Sequence, residues 1–500
     1  MLARREAMAD LLVAGVDVST QSCTVEIRRS DDLEVIGRAR TPLPPTSPPV
    51  SEQNALDWWA ALVDCFHQLS SRVDLSLVGA ISVSGQCHGL VALDAAGRPV
   101  RRVKLWNDTS TAPYLDELFT RIDRKEWVHR TGSIPTAAFT ISKLAWYLVV
   151  EPQNAAITRK IVLPHDYVNY RLTGVFATDR SEASGTGYFD SVKNDYDYEL
   201  LRHCFGDSME WESLFPEVLS PSDCLGFVQG AASRELGVPE GIPVAVGGGD
   251  QHVAALGLGL GSGDVVFSLG TSGVVIASSS TPVRDPTGRV NGVANAVGGW
   301  LPLVCTLNST KVTDWLAEIL EISVQQLDAL ALEAGAEEAT PAFATYLDGE
   351  RSPSFPMSAG VIAGITGSTS RAAFAKATFE GVLGGLIRGM EDIRACGVPL
   401  EGRVIAIGGG ARSSAYTTFL ADMLGRPVEV IREPEATARG ACVQAKALLD
   451  GSPVEEAAQS FKPAAERIVE PRSAGRSWMR IRGEYLRTCD FAGSLDRTAF

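Results

Sequence analysis

Apolar positions along the chain alternate between short runs of strand length and longer stretches at helical spacing. Residues 11–18 form a nearly continuous apolar run broken by Asp17, and residues 24–28 form a second strand-like segment, with the polar turn Ser19-Thr20-Gln21-Ser22 between them. This pattern predicts two strands joined by a tight turn. The segment 41–50 carries five prolines, which cannot donate backbone hydrogen bonds, so it is read as extended. Asn54 then stands where a helix cap belongs, followed by Leu56, Trp59, Leu62, Val63 and Phe66 at helical spacing. A strand over 77–83 runs into Ser84-Gly85-Gln86-Cys87-His88-Gly89, and residues 91–93 and 100–105 flank an Ala-Gly turn as a hairpin that ends at Trp106-Asn107-Asp108. Residues 141–225 read as mostly helical.

The second half opens with a strand over 244–246, Gly247-Gly248-Gly249-Asp250 and a small-residue helix over 251–258. Strands over 264–269 and 274–277 flank Gly270-Thr271-Ser272-Gly273, and a strand over 404–407 leads through Gly408-Gly409-Gly410-Ala411 to a helix near Ala415. Strands alternating with helices in this way predict an α/β fold with helices packed on sheets. Asp17-Val18-Ser19-Thr20-Gln21-Ser22 also aligns with Ser268-Leu269-Gly270-Thr271-Ser272-Gly273. Two such copies, about 250 residues apart, suggest a duplicated domain with a ligand held between the halves.

Length and charge narrow the function. At roughly 100–200 residues per domain, a chain of 500 residues carries several domains and is no small binding module. An apolar share of 45% with 21% charged residues leaves disordered and coiled-coil readings without support. The net charge of -15 argues against extended contact with nucleic acid or an anionic membrane, so any anionic ligand must be held locally. Nine dispersed cysteines without zinc-ligand spacing, and no apolar run of membrane-spanning length, read as a reduced, cytoplasmic, soluble protein. Residues 1–7 carry no pattern, which leaves Met8 as a second candidate start.

The nucleotide motifs narrow it further. No Gly-Lys pair exists for a Walker A loop, and Gly257-Leu258-Gly259-Leu260-Gly261 has the wrong spacing for a dinucleotide fingerprint. Gly270-Thr271-Ser272 could converge backbone N–H groups on phosphate oxygens, or could be an ordinary hairpin turn. Gly408-Gly409-Gly410 could let a flat ligand lie against backbone, or could meet only a need for positive φ. Asp250 reads either as a helix cap or as a ligand-facing carboxylate, and His88 as either a packed side chain or a ligand contact. Trp106-Asn107-Asp108 combines an aromatic face with polar groups suited to a polyhydroxylated ligand.

Taken in order, these segments resemble the FGGY carbohydrate kinase family. The resemblance also includes Ser51-Glu52-Gln53 before Trp58-Trp59, Leu163-Pro164-His165-Asp166-Tyr167, Ser184-Gly185-Thr186, Gly349-Glu350-Arg351-Ser352-Pro353 and Phe379-Glu380-Gly381-Val382, and it covers about residues 11–450. It implies two duplicated actin-like, ribonuclease-H-like domains with a cleft between them: a sugar-side domain over 11–245 and a nucleotide-side domain over 246–475, with a tail over 1–10 and an extension over 476–500. It further implies transfer of the γ-phosphoryl group of ATP to the terminal hydroxyl of a ketopentose, most similar to the members acting on D-xylulose, with Mg²⁺ as cofactor and a homodimer as the assembly.

By this resemblance Asp250 is the catalytic base, and Cys87, His88, Trp106, Asn107 and Asp108 join it at the sugar. Asp17 helps hold the metal; Thr20, Gly270, Thr271 and Ser272 face the phosphates; Gly409, Gly410 and Ala411 border adenosine. Relatives usually have Gly where this chain has Ser19, often Lys where it has Thr24, and commonly Met where it has Cys87. These departures keep two alternatives open, a kinase for another sugar or polyol and an inactive sugar-binding relative.

Overall fold

The computed structural model describes residues 11–335, 338–472 and 476–495. The tail expected over 1–10, the alternative start at Met8 and the last five residues lie outside them. The first half is built on the strands β1 (Leu12–Val18), β2 (Ser22–Arg29), β3 (Val35–Pro42), β4 (Val78–Gly85), β5 (Cys224–Phe227) and β6 (Pro243–Ala245). They lie in the order β5-β6-β4-β1-β2-β3, and Gly248–Gly249 pairs onto the end of β4. The second half uses β7 (Val265–Leu269), β8 (Gly273–Ala277), β9 (Leu303–Thr306), β10 (Val404–Ile407), β11 (Val428–Val430) and β12 (Arg467–Val469), in the order β9-β8-β7-β10-β11-β12.

The two sheets share one topology. In each, three antiparallel strands are followed by two parallel ones and a final antiparallel edge. The short repeat seen in the sequence is thus the first turn of each copy. It ends differently in each: Val18 pairs with Cys23, whereas Leu269 pairs with Gly273, so the first turn is one residue longer.

Residues of β1 are buried on both faces, because each face has its own helix. Leu12, Ala14, Val16 and Val18 pack with Trp58, Leu62 and Phe66 of α1 (Ala55–Ser70), whose N-cap Asn54 accepts from the Leu56 N–H at 3.1 Å. Val13 and Gly15 face the other way, toward α3 (Ala436–Asp450), a helix contributed by the second half. A Cβ on Gly15 would overlap the Ala438 carbonyl, so the glycine is what lets that helix lie on the sheet. Strand alternation places Asp17 on this same face. Ser82 of β4, also on that face, donates to Gln444 Oε1 at 2.6 Å. Helix α2 (Asp250–Gly257) crosses α3 where Gly257 and Gly440 meet, each lacking the side chain that would collide with the other helix's backbone.

One expectation needs refining. The hairpin of residues 91–93 and 100–105 forms next to its turn, with Asp94 N–H on Arg98 O and Val100 N–H on Ala92 O, both at 2.9 Å, and Leu93 opposite Pro99; beyond that the register shifts, and Leu90 N–H meets Lys104 O at 3.2 Å. Val91–Leu93 then pairs with Lys160–Val162, and Val103–Lys104 with Glu52–Gln53. The edge strand β3 carried no clear signal, because Arg38 and Arg40 interrupt its apolar positions. A final helix, Arg476–Gly493, buries Trp478 and Tyr485 in the core of the second half. All nine cysteines are free thiols. Among the described residues, no helix is long and apolar enough to cross a membrane.

Candidate active site

Between the two halves lies a cavity of about 400 Å³. Its walls come from the turn after β1 (Ser19, Thr20), the segment after β4 (Cys87, His88), Trp106, and the start of α2 (Asp250, His252). Asn291, Cys305 and Arg351 close it from the second half. Strand ends and a helix N-terminus therefore deliver the polar groups, as is usual in open α/β sheets.

Asp250 occupies the first turn of α2 but does not cap it; the N-cap is Gly249. Its Oδ1 accepts from the Gln251 N–H at 2.7 Å and from the Cys87 thiol at 3.2 Å. Both bonds fall on Oδ1, so Oδ2 is the oxygen left to take a proton. Burial raises the Asp250 carboxyl above the ordinary carboxylate range, opposed by the Cys87 hydrogen bond and reinforced by the Glu182 charge. Asp17 is raised well above its ordinary value, first by burial and then by the charges of Asp250 and Glu435, with Arg40 working against them. Its Oδ1 is buried without a hydrogen-bond partner. Carboxylates crowded in this way suit a divalent cation, so the residues present fit the Mg²⁺ that the family implies.

His88 has φ +66°, an uncommon conformation for a non-glycine residue, which costs on the order of 1–3 kcal/mol. Glu182 holds it there: one carboxylate oxygen accepts the His88 backbone N–H and lies 3.3 Å from its Nδ1. That pairing leaves Nε2 for a ligand. The ring packs on Phe139, centroids 5.4 Å apart, and Gly185 provides the room it occupies. Lys143 Nζ donates to the carbonyls of Ala137 and Ala138, both at 2.8 Å, fixing the loop beside that ring. Burial pushes Lys143 down to about 7.

Trp106 Nε1–H donates to Thr20 Oγ1 at 3.0 Å, Thr20 donates to Gln86 Oε1 at 2.9 Å, and Gln86 donates to Gln53 Oε1 at 3.0 Å. The Thr20 hydroxyl thus fixes the tryptophan on the cavity wall. Asn107 and Asp108 do not reach that wall. Asp108 is fully buried, and accepts from Lys104 Nζ and the Ser51 N–H, both at 2.9 Å. Its place is in a buried ion pair behind the site.

In the second half, the Gly270–Ser272 turn is anchored to the start of a helix, with Thr310 N–H on Gly270 O at 3.0 Å and Ser309 N–H on Thr271 O at 3.2 Å. Gly408 and Gly410 lie against Leu269, which brings this turn next to the glycine segment. Gly409 stands between two cavities of about 410 and 600 Å³; Gly410 lines the first and Ala411 the second. A Cβ on Gly410 would come within 2.8 Å of Leu269 and Thr310, whereas one on Gly409 would meet nothing within 4 Å. A side chain at 409, not 410, would therefore enter the open space.

Sequence reasoning missed Arg40, Arg351, Glu182 and His252. Arg40 sits directly opposite Thr24 across β2 and β3, donates to Ser22 Oγ at 2.9 Å and lines the main cavity. It returns, from the neighbouring strand, a positive charge at the place where Thr24 lacks one. The signal for Glu182 was its position just before Ser184-Gly185-Thr186.

Comparison with known proteins agrees with this architecture. The model of the N-terminal domain of the FGGY family of carbohydrate kinases matches residues 12–257, and that of the C-terminal domain matches residues 265–448. A xylulose kinase from Streptomyces rubiginosus is 39% identical over 92% of this chain and 92% of its own length. The crystal structure of a xylulose kinase from Bifidobacterium adolescentis superimposes with a TM-score of 0.85 at 32% identity, covering 95% of this chain and 100% of that one. One from Rhodospirillum rubrum does so at 0.87 and 26%, covering 96% and 99%. With matching models over both halves and a catalytic-type cleft between two copies of one topology, the chain belongs to the FGGY family of carbohydrate kinases and is an ATP-dependent sugar kinase.

Proposed function

We propose that the enzyme transfers the γ-phosphoryl group of ATP to the terminal hydroxyl of D-xylulose, with Asp250 as general base. The observation that carries this reading is the position of Asp250: a half-buried carboxylate of raised proton affinity on the wall of a cavity that also holds Cys87, His88 and Trp106. The relatives named xylulose kinases support the choice of sugar.

In this reading the ketopentose lies against Trp106, with its hydroxyls toward His88 Nε2 and Asp250. Asp250 Oδ2 accepts the proton of the attacking hydroxyl, and the Cys87 thiol and Gln251 N–H keep the carboxylate oriented through Oδ1. Arg40 and the Gly270–Ser272 turn face the phosphates, Gly409 and Gly410 border adenosine, and Asp17 holds the cation. Mg²⁺, when bound, neutralises charge on the phosphate oxygens. Phosphoryl transfer through a loose transition state asks mainly for such positioning and charge stabilisation. Closure of the two halves around the bound substrates would keep water, a competing acceptor, away from the phosphoryl group.

The test is a coupled assay of ADP release with D-xylulose, glycerol, gluconate and L-ribulose. D-Xylulose is expected to give the highest kcat/KM. A higher value with another acceptor overturns the sugar assignment, and absence of release with every acceptor supports the non-catalytic alternative.

A further inference from the structure

Several metal-type donor atoms gather at and just behind the wall of the main cavity. Cys87 Sγ, a ring nitrogen of His88 and a carboxylate oxygen of Glu182 lie within 4.8 Å of one another. Glu182 is fully buried, and although one oxygen is engaged by the His88 backbone, Oε2 makes no hydrogen bond. His252 is 2% exposed, and neither of its ring nitrogens has a hydrogen-bond partner. Buried polar atoms are rarely left unsatisfied, so several around one point call for an explanation.

These atoms converge on the side of Gly249 that a side chain would cover. A Cβ there would overlap Glu182 Oε2 and stand 2.8 Å from Cys87 Sγ and 2.9 Å from His252 Nδ1. Cys87, His88 and His252 all line the cavity, which gives an ion a way in. The donor set is one sulfur, imidazole nitrogen and one carboxylate. Magnesium prefers oxygen alone, whereas zinc-class ions take S, N and O together at about 2.0–2.3 Å.

We propose that Cys87, His88 and Glu182, with His252 beside them, form a binding site for a divalent transition metal of the zinc class. Binding would draw these donors, now within 4.8 Å of one another, to bonding distance. On binding, the Cys87 S–H proton leaves to solvent and a metal–thiolate bond replaces it, with no change of oxidation state. The ion would stand where Cys87 and His88 face the cavity, so metal and sugar would exclude each other. That last consequence rests on the proposed sugar site; the binding itself does not.

The experiment adds Co²⁺ alone to the full-length protein and follows the thiolate-to-cobalt charge-transfer band, then displaces it with Zn²⁺ alone. One equivalent of Co²⁺ is expected to produce the band and Zn²⁺ to abolish it. Cys87→Ser should lose the band although eight of the nine cysteines remain. Glu182→Gln should weaken Co²⁺ binding at least ~10-fold. Absence of the band, or its persistence in folded Cys87→Ser, overturns the site. If Cys87→Ser does not fold, unchanged Co²⁺ affinity in folded Glu182→Gln does so. Because no turnover is measured, this failure is distinct from failure of the kinase reading.

Discussion

Neighbouring glycines in the segment proposed to border adenosine give opposite expectations for the same substitution. In Gly410→Val, even the first carbon of the new side chain would stand 2.8 Å from both Leu269 Cβ and Thr310 Cγ2, and 3.1 Å from the Leu269 carbonyl oxygen. Leu269 is itself fully buried, so it cannot move aside freely. Overpacking of this kind costs about 1–3 kcal/mol. In Gly409→Val the first carbon of the side chain meets no protein atom within 4 Å, so stability should change by no more than about 0.5 kcal/mol. The valine would instead fill space proposed for adenosine, and loss of about 1.4 kcal/mol of binding there corresponds to tenfold in Kd. The assay is a nucleotide titration of each purified variant, paired with denaturant unfolding. Gly409→Val should melt like the parent and bind ATP at least ~10-fold more weakly, while Gly410→Val should lose stability. Parent-like ATP affinity in Gly409→Val would refute the assignment of this segment to adenosine, and unchanged stability in Gly410→Val would refute the packing argument.

Four further outcomes are expected. Asp250→Asn should fold and bind ATP normally yet lose at least ~10²-fold in kcat; near-normal turnover would remove Asp250 as the base. Asp17→Asn should raise thermal stability at pH 8 without Mg²⁺, because the fold disfavours the ionised carboxylate relative to the unfolded chain; the gain should vanish as pH falls below the ordinary carboxylate value, where both states are protonated, and equal melts at pH 8 would refute it. Arg40→Met should lower kcat/KM for ATP by about 10–100-fold, the worth of a charge-assisted bond, and unchanged kinetics would show that Thr24 needs no substitute. Asp108→Ala should cost on the order of 3 kcal/mol by removing the nearest carboxylate from buried Lys104, which keeps Glu52 at 3.3 Å and the Ser110 hydroxyl at 3.0 Å; an unaltered unfolding curve with a raised sugar KM would instead make Asp108 a direct contact.

Local patterns determined much of this molecule. Strand alternation in β1, the Asn54 cap, the turns at 19–21 and 270–272 and the glycine segment at 408–410 depend on near neighbours, so spacing and residue type were enough to find them. The order of motifs then pointed to the family, and through it to Asp250, Cys87 and His88, which the fold brings to one cavity.

What the tertiary structure decided was which groups meet across long stretches of chain. A charge at Arg40 can stand in for Thr24 only because β2 and β3 pair in that register. Glu182 can hold His88 in a strained conformation only because a segment 94 residues away folds beside it. Asp108 and Trp106 are two residues apart, yet one is locked to a buried lysine and the other faces the cavity, since burial depends on what packs behind each. The helix of 436–450 covers β1 of the other half, and no periodicity in either segment names its partner. Such pairings are set by the geometry of the whole chain, where the favourable contacts of one segment are available only after the others have taken their places.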